Sequence, residues 1–227
     1  MQGWMIWIGL GAGMPLAAHE GTGWDVGVAS MWSSRYVDAG VDELGEGGLW
    51  TFEAGVEREG LEFGVWTGLG DSVDYQELNA YAGYGWQWGE WDMALVYTRL
   101  EFKGDTGDNE LAFELGREWG GFEWGLETTY STEAGGSFVE VGVGYPIHFC
   151  EDRLWVMPYV REGIDFGYRS DAHDGLNHTE IGVEMRYAIC DGCALNGFVA
   201  HSFAGEDVRR DGEGDPTWFG LGVEFGW

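Results

Sequence analysis

A chain of 227 residues with a formal charge of −29, 11 Lys+Arg against 40 Asp+Glu, lacks the basic surface that nucleic-acid binding requires. Its 41 glycines and 4 prolines accompany 16% aromatic residues, which excludes collagen and argues against disorder. No run after residue 20 approaches the roughly 18 apolar residues of a membrane helix, so a membrane-crossing form of this chain must cross as strands.

Residues 1–18 have an apolar centre and a small-residue end, the pattern of a secretory signal peptide cut near Ala18. Residues 19–227 are then expected as one domain. From there the dominant signal is alternation with a period of two. Trp24, Val26 and Val28 alternate with Asp25, Gly27 and Ala29; Trp50, Phe52, Ala54 and Val56 with Thr51, Glu53, Gly55 and Glu57. The pattern recurs along the chain, and ends in residues 217–227, where Phe219, Leu221, Val223, Phe225 and Trp227 oppose Trp218, Gly220, Gly222, Glu224 and Gly226. Two segments stand out. Residues 154–162 are apolar on both faces and contain Pro158, where a bulge is expected; residues 195–203 alternate poorly.

Twelve runs can be counted, and the connections between them alternate in length. Glu59-Gly60, Gly89-Glu90 and Gly120-Gly121 are short, as are the turns around Cys150 and Gly192; residues 37–48, 68–76, 101–109, 131–137, 163–177 and 204–216 are longer and polar. Trp24, Trp86, Trp88, Trp91, Trp119, Phe122, Trp124, Tyr145, Tyr187 and Trp227 gather beside the short turns, as an interfacial girdle would. An all-β class follows: a transmembrane, antiparallel, up-and-down β-barrel of about twelve strands in a bacterial outer membrane, with short periplasmic turns and long extracellular loops. A soluble barrel or sandwich with an aromatic core is the alternative.

Residues 33–41, S-S-R-Y-V-D-A-G-V, resemble the opening motif of the TorF (Gcw_chp) family of proposed porins, through Ser34, Tyr36, Val37, Gly40 and Val41; Asp38 and Ala39 depart from it. E-L-N-A-Y-A-G-Y-G at 77–85, followed by Trp91, Asp92 and Tyr97, resembles that family's central hairpin. The resemblance spans about residues 25–146 and implies an outer-membrane barrel and a pore.

Glu53, Glu57, Glu62, Glu77, Glu114, Glu123, Glu127, Glu140, Glu180, Glu184 and Glu224 share the inward phase, with Arg161 and Arg186 among the few inward bases. Charge is costly against lipid, so these groups are expected to line a wet lumen, and an acidic lumen favours cations. Trp66, Phe138, Trp155, Tyr159, Phe198 and Trp218 are the rings that could instead block it. Inward glycines either widen a channel or make room for those rings. Among three cysteines at the turns, a Cys150–Cys190 bridge is favoured in the oxidising periplasm, with Cys150–Cys193 second. C-x-x-C lacks the second ligand pair of a metal centre. His201 and Ser202 point to opposite faces and make no nucleophile–base pair. Asp171, His173 and Asp174 form the one loop cluster that could hold a divalent cation.

The expectation is therefore a passive, cation-preferring pore for small cationic or neutral solutes, embedded in outer-membrane lipid, with no catalytic group, cofactor or metal centre. The alternative is an occluded barrel that binds or supports through its acidic loops.

Overall fold

The computed structural model describes residues 23–170, 174–210 and 212–227. In chain order its elements are β1 (Asp25–Ser33), β2 (Val37–Asp38), β3 (Val41–Asp42), β4 (Leu49–Arg58), β5 (Leu61–Gly70), β6 (Gln76–Trp88), β7 (Trp91–Phe102), β8 (Asp108–Trp119), β9 (Phe122–Ser131), β10 (Ser137–Gly144), β11 (Ile147–Phe149), β12 (Leu154–Phe166), β13 (Asp174–Cys190), β14 (Cys193–Ala204), α1 (Glu206–Arg210) and β15 (Thr217–Gly226). The expected signal peptide lies outside the described residues.

The two-residue turns impose antiparallel hairpins. Glu59 and Gly60 have φ of 53° and 83°, and Gly120 and Gly121 of 65° and 81°. Positive φ at both central residues matches the right-handed twist of the flanking strands. Each long strand consequently pairs with its predecessor and its successor, and β1 closes on β15 from Gly27↔Gly226 to Ser33↔Gly220. Val26 and Trp227 complete that seam with reciprocal N–H···O bonds of 3.0 Å. With β10 paired to β12, twelve strands form a closed antiparallel barrel.

Pro158 makes no bulge. It stands in register opposite Val183, and its carbonyl accepts from the Tyr145 N–H at 3.1 Å. In an antiparallel ladder a residue's N and C=O face the same neighbour. The missing donor therefore faces the point where Tyr145 and Pro146 separate β10 from β11, and the one ladder bond it cannot make falls at that break. The register shift lies instead between Gly163 and Ile164, with Asn177 as the extra residue on β13. Residues 195–203 do alternate: Leu195, Val199 and Phe203 are exposed outward, but Gly197 and His201 interrupt that face and Ala194 and Ala200 weaken the inner one.

The outer face is apolar along every long strand, and Phe63, Leu95, Ile181 and Leu221 are typical of its exposed side chains. Trp88, Trp91, Trp119, Phe122, Trp124, Tyr145 and Trp227 are exposed at the turn end, and Phe122 and Tyr145 pack with ring centroids 5.1 Å apart. Arg117 lies over Trp91 and Arg153 over Tyr187, at 5.2 and 5.3 Å from the centroids. Such cations keep their heads at the headgroup level while their stems cover apolar surface. A second aromatic set, Trp50, Tyr97, Tyr130, Phe166 and Phe203, marks the loop end.

The favoured Cys150–Cys190 bridge does not form. Cys190 and Cys193 are facing partners at the end of the β13–β14 ladder, with Cα atoms 5.1 Å apart, and are bonded to each other. Cys150 is free and exposed. Cys150, Glu151 and Asp152 all adopt positive φ, which coils the β11–β12 turn, and Arg153 rather than Cys150 meets Ala188 across the gap.

Two outcomes are expected. A thiol reagent added to folded, unreduced protein should label one cysteine, Cys150, and three after reduction and unfolding, as read by intact mass. Leu221→Arg, which turns a charge toward lipid, should lower unfolding free energy in vesicles by roughly 2–4 kcal/mol, as read by denaturant titration.

Candidate functional site

The lumen is built from the inward phase of all twelve strands, and its two halves differ. On the β12–β15 half, Arg161 reaches Glu184 at 3.0 Å, Glu180 at 3.7 Å and Glu140 at 3.8 Å. Arg186 pairs with Glu224, which also accepts from Asn196 at 2.7 Å. On the β4–β10 half no Arg or Lys of the strands faces inward among the described residues. There Glu57 stands opposite Glu62, Glu114 opposite Glu127 and Glu118 opposite Glu123. Tyr81 donates to Glu53 at 2.7 Å, and Thr129 to Glu127 at 3.0 Å.

The large rings lie down against the wall, on glycines. A Cβ at Gly64 would collide with Tyr81, at Gly182 with Tyr159, at Gly220 with Phe198 and at Gly68 with Trp66. Trp66 and Tyr159 are only 8% exposed as a result. Tyr159 donates to Glu180 at 2.6 Å and carries Arg161 over its ring at 4.4 Å. The expectation that inward glycines make room for rings is met at these four positions; Gly116 has no ring over it, and a Cβ there would find nothing closer than 3.8 Å.

The mouth is organised by two loops. Asp165, fully buried, accepts the backbone N–H of Tyr168, Arg169 and Ser170 at 2.8–3.0 Å. Three amides on one carboxylate fix a tight loop. It aims Tyr168 at Glu110 on β8, and Arg169 at Glu43 in the segment between β1 and β4. That segment, residues 34–48, is folded inward. β2 and β3 form a minimal hairpin around Ala39 and Gly40, with φ of 44° and 80°. Gly40 sits so close to His178 that a Cβ would lie 2.6 Å from the ring. Tyr36 packs on Trp66 and Tyr75 and donates to Glu77 at 3.0 Å, and Val41 joins Ala204 and Val208 in a cluster of buried apolar residues at this end. Desolvation raises the Asp38 carboxyl against the pull of Arg169, and desolvation with the charge of Asp38 pushes Glu43 up to about 7.

The expected lining residues therefore divide. Glu53, Glu57, Glu62, Glu114 and Glu127 stand on strands that bring no Arg or Lys of their own inward; Glu140, Arg161, Glu180, Glu184 and Arg186 are joined by the ion pairs above. Glu77 faces inward but is an anchor, accepting from Tyr36, Tyr75 at 2.6 Å and Asn79 at 2.8 Å. Sequence reasoning missed Tyr36, Asp38, Tyr168, Arg169 and Glu110, which build the mouth; only the Tyr36 motif carried a signal. His201 bonds Thr217 at 2.7 Å outside while Ser202 is buried inside. In the expected cation loop, Asp171 and His173 lie outside the described residues.

No family model matches the chain, and no curated protein does. Solved structures share its fold. The KdgM porin aligns with a TM-score of 0.61 over 88% of this chain and 98% of that one, at 7% identity. The NanC porin aligns at 0.60 over the same shares, with 11% identity. The COG4313 outer membrane channel from Pseudomonas putida F1 aligns at 0.56 over 92% of this chain and 97% of that one, with 10% identity. Together with the closed sheet and its apolar belt, these likenesses make the fold that of a bacterial outer-membrane β-barrel of porin architecture.

Proposed function

We propose that this chain is an outer-membrane channel for the passive diffusion of small solutes, and that it prefers cations. One observation carries the reading. Both inward Arg side chains of the barrel strands among the described residues, Arg161 and Arg186, are held in ion pairs, while β4–β9 bring no Arg or Lys to the inner face that carries Glu53, Glu57, Glu62 and Glu114. Twelve strands lie between the barrels of 8 strands that side chains fill and those of 16–18 that leave an aqueous channel. Rings laid on glycines keep that intermediate lumen from being spanned. A structure of the KdgM porin is described as a complex with oligogalacturonate, a polyanion. The surplus of carboxylates here would repel such a solute, so the present reading reverses the sign of the cargo.

Kinship with the TorF family is part of the proposal. Its support is that the two resembling segments touch, Tyr36 of the first donating to Glu77 of the second.

The hairpin of β2 and β3 favours a second reading, an occluded barrel acting through its acidic loops. Conductance in a planar bilayer under a salt gradient separates the two. Discrete steps with a cation-selective reversal potential are expected; silence from protein shown to be folded and inserted overturns the channel.

The same recording tests the hairpin as a gate. Glu43 is raised from 4.5 to about 7, so docking is favoured below the free value and weakened as pH rises through about 7. Asp38, buried beneath Arg169, shifts the same way. Conductance should therefore rise through about pH 7 in the native protein, and Glu43→Gln should flatten that rise. An unchanged profile in the variant would leave the hairpin without a role in gating.

A further inference from the structure

Arg117 stands near the end of β8 on the lipid side of the barrel, two residues beyond Leu115 in the outward phase. Its ladder partner on β9 is Trp124, and its guanidinium lies over the Trp91 ring of β7, 5.2 Å from the centroid. Trp88, paired with Trp91, continues the row on β6, and one rung nearer the turn Trp119 pairs with Phe122. All these rings are exposed. A single base is thus set among rings that settle at the headgroup level, the depth at which lipid phosphates lie.

The guanidinium is open to a further acceptor. Its Nη2 donates to Glu90, and its Nη1 carries no hydrogen bond among the described residues. Glu90 lies in the two-residue turn between β6 and β7, and its side chain is 76% exposed against 29% for Arg117. An ion pair so exposed contributes little by itself and leaves both partners able to share their charge with a ligand. Arg is the base best matched to a phosphate.

The order of the two charges narrows the ligand. Arg117 belongs to the strand and lies deeper, level with Trp91; Glu90 precedes Trp91 in the turn and lies farther from the lipid. A phospholipid with an amine headgroup carries the opposite charges in the same order, its phosphate beside the glycerol and its ammonium outside. An anionic headgroup would answer Arg117 but meet Glu90 with like charge, and Glu59, Glu151, Asp152 and Asp191 in the other turns add to that sign.

We infer that Arg117 and Glu90, framed by Trp91, Trp119 and Trp124, form a binding site for a phospholipid whose headgroup bears both a phosphate and a primary ammonium, the guanidinium taking the phosphate and the carboxylate taking the ammonium. The inference rests on the outer-membrane barrel and not on whether its lumen conducts. Recognition by a charge pair of this kind distinguishes lipids by headgroup, whereas an aromatic belt alone holds any of them.

The test uses refolded full-length protein in detergent, offered phosphatidylethanolamine, phosphatidylglycerol and phosphatidylcholine of matched acyl chains in equal amounts, with the retained lipids read by native mass spectrometry. Native protein should retain phosphatidylethanolamine several-fold over the other two. Arg117→Gln should lower that retention several-fold, and R117K should restore part of it. Glu90→Gln, which leaves the guanidinium in place, should still hold lipid but turn its preference toward phosphatidylglycerol. Arg209→Gln, which removes a base at the loop end, should match the native protein. Equal retention of phosphatidylethanolamine by native protein and folded R117Q overturns the site. A native preference for phosphatidylglycerol, or an unchanged preference in E90Q, overturns the role of the carboxylate and with it the ammonium-bearing occupant. Retention blind to headgroup in the native protein overturns the whole proposal.

Discussion

A strand crossing lipid has no water to satisfy its backbone, so the sheet must close, and every other feature of this molecule is subordinate to that closure. The seam between β1 and β15 is held by a ladder of seven paired positions and the Val26–Trp227 bonds beyond it. Closure also fixes phase. A slip of one residue in any long strand would turn its inward glutamates toward lipid and its outward apolar side chains into the lumen, and the penalty for charge in lipid makes that slip self-correcting. Even Pro158 conforms, because its missing donor points at the break between β10 and β11.

Once the outside is committed to lipid, all the polar chemistry must be done inside a narrow space. The barrel divides the work. On the β12–β15 half, each guanidinium gathers carboxylates, and Tyr159 ties Glu180 to the ring that carries Arg161. Glycine and aromatic residues are complementary there, since a ring can lie flat only where its neighbour has no side chain. Strands β4–β9 bring no Arg or Lys to the inner face among the described residues, and Gly116 has no ring above it.

Period-two alternation made the strands, their facing and the short turns legible in the sequence, since Glu59-Gly60 and Gly120-Gly121 carry their turn geometry in their composition. The carboxylates on the inner face were legible for the same reason. Which of them Arg161 and Arg186 reach was not, because which residue faces which across a register depends on closure and not on local pattern. The β2–β3 hairpin escaped notice because two-residue strands have no period. Cys190 was assigned the wrong partner because a turn-end alignment cannot distinguish a cysteine in a coiled turn, Cys150, from one in the ladder, Cys193. The role of Asp165 depends on three amides that follow it and leaves no trace in spacing.

The mouth and the wall meet at Glu110. It lies on the inward face of β8, two rungs toward the loops from Glu114, and it accepts from Tyr168, which belongs to the loop that also aims Arg169 at the hairpin. A shift of that loop would thus change two things together: the contact of Arg169 with Glu43, and the hydroxyl that satisfies Glu110. The first ties the hairpin to this loop, and the second hydrogen-bonds the top of the carboxylate wall. Movement of the hairpin away from the mouth would consequently expose more of the negative wall at the moment the path opens. Coupling of this kind requires no long-range signal, only a shared loop whose two side chains face different partners.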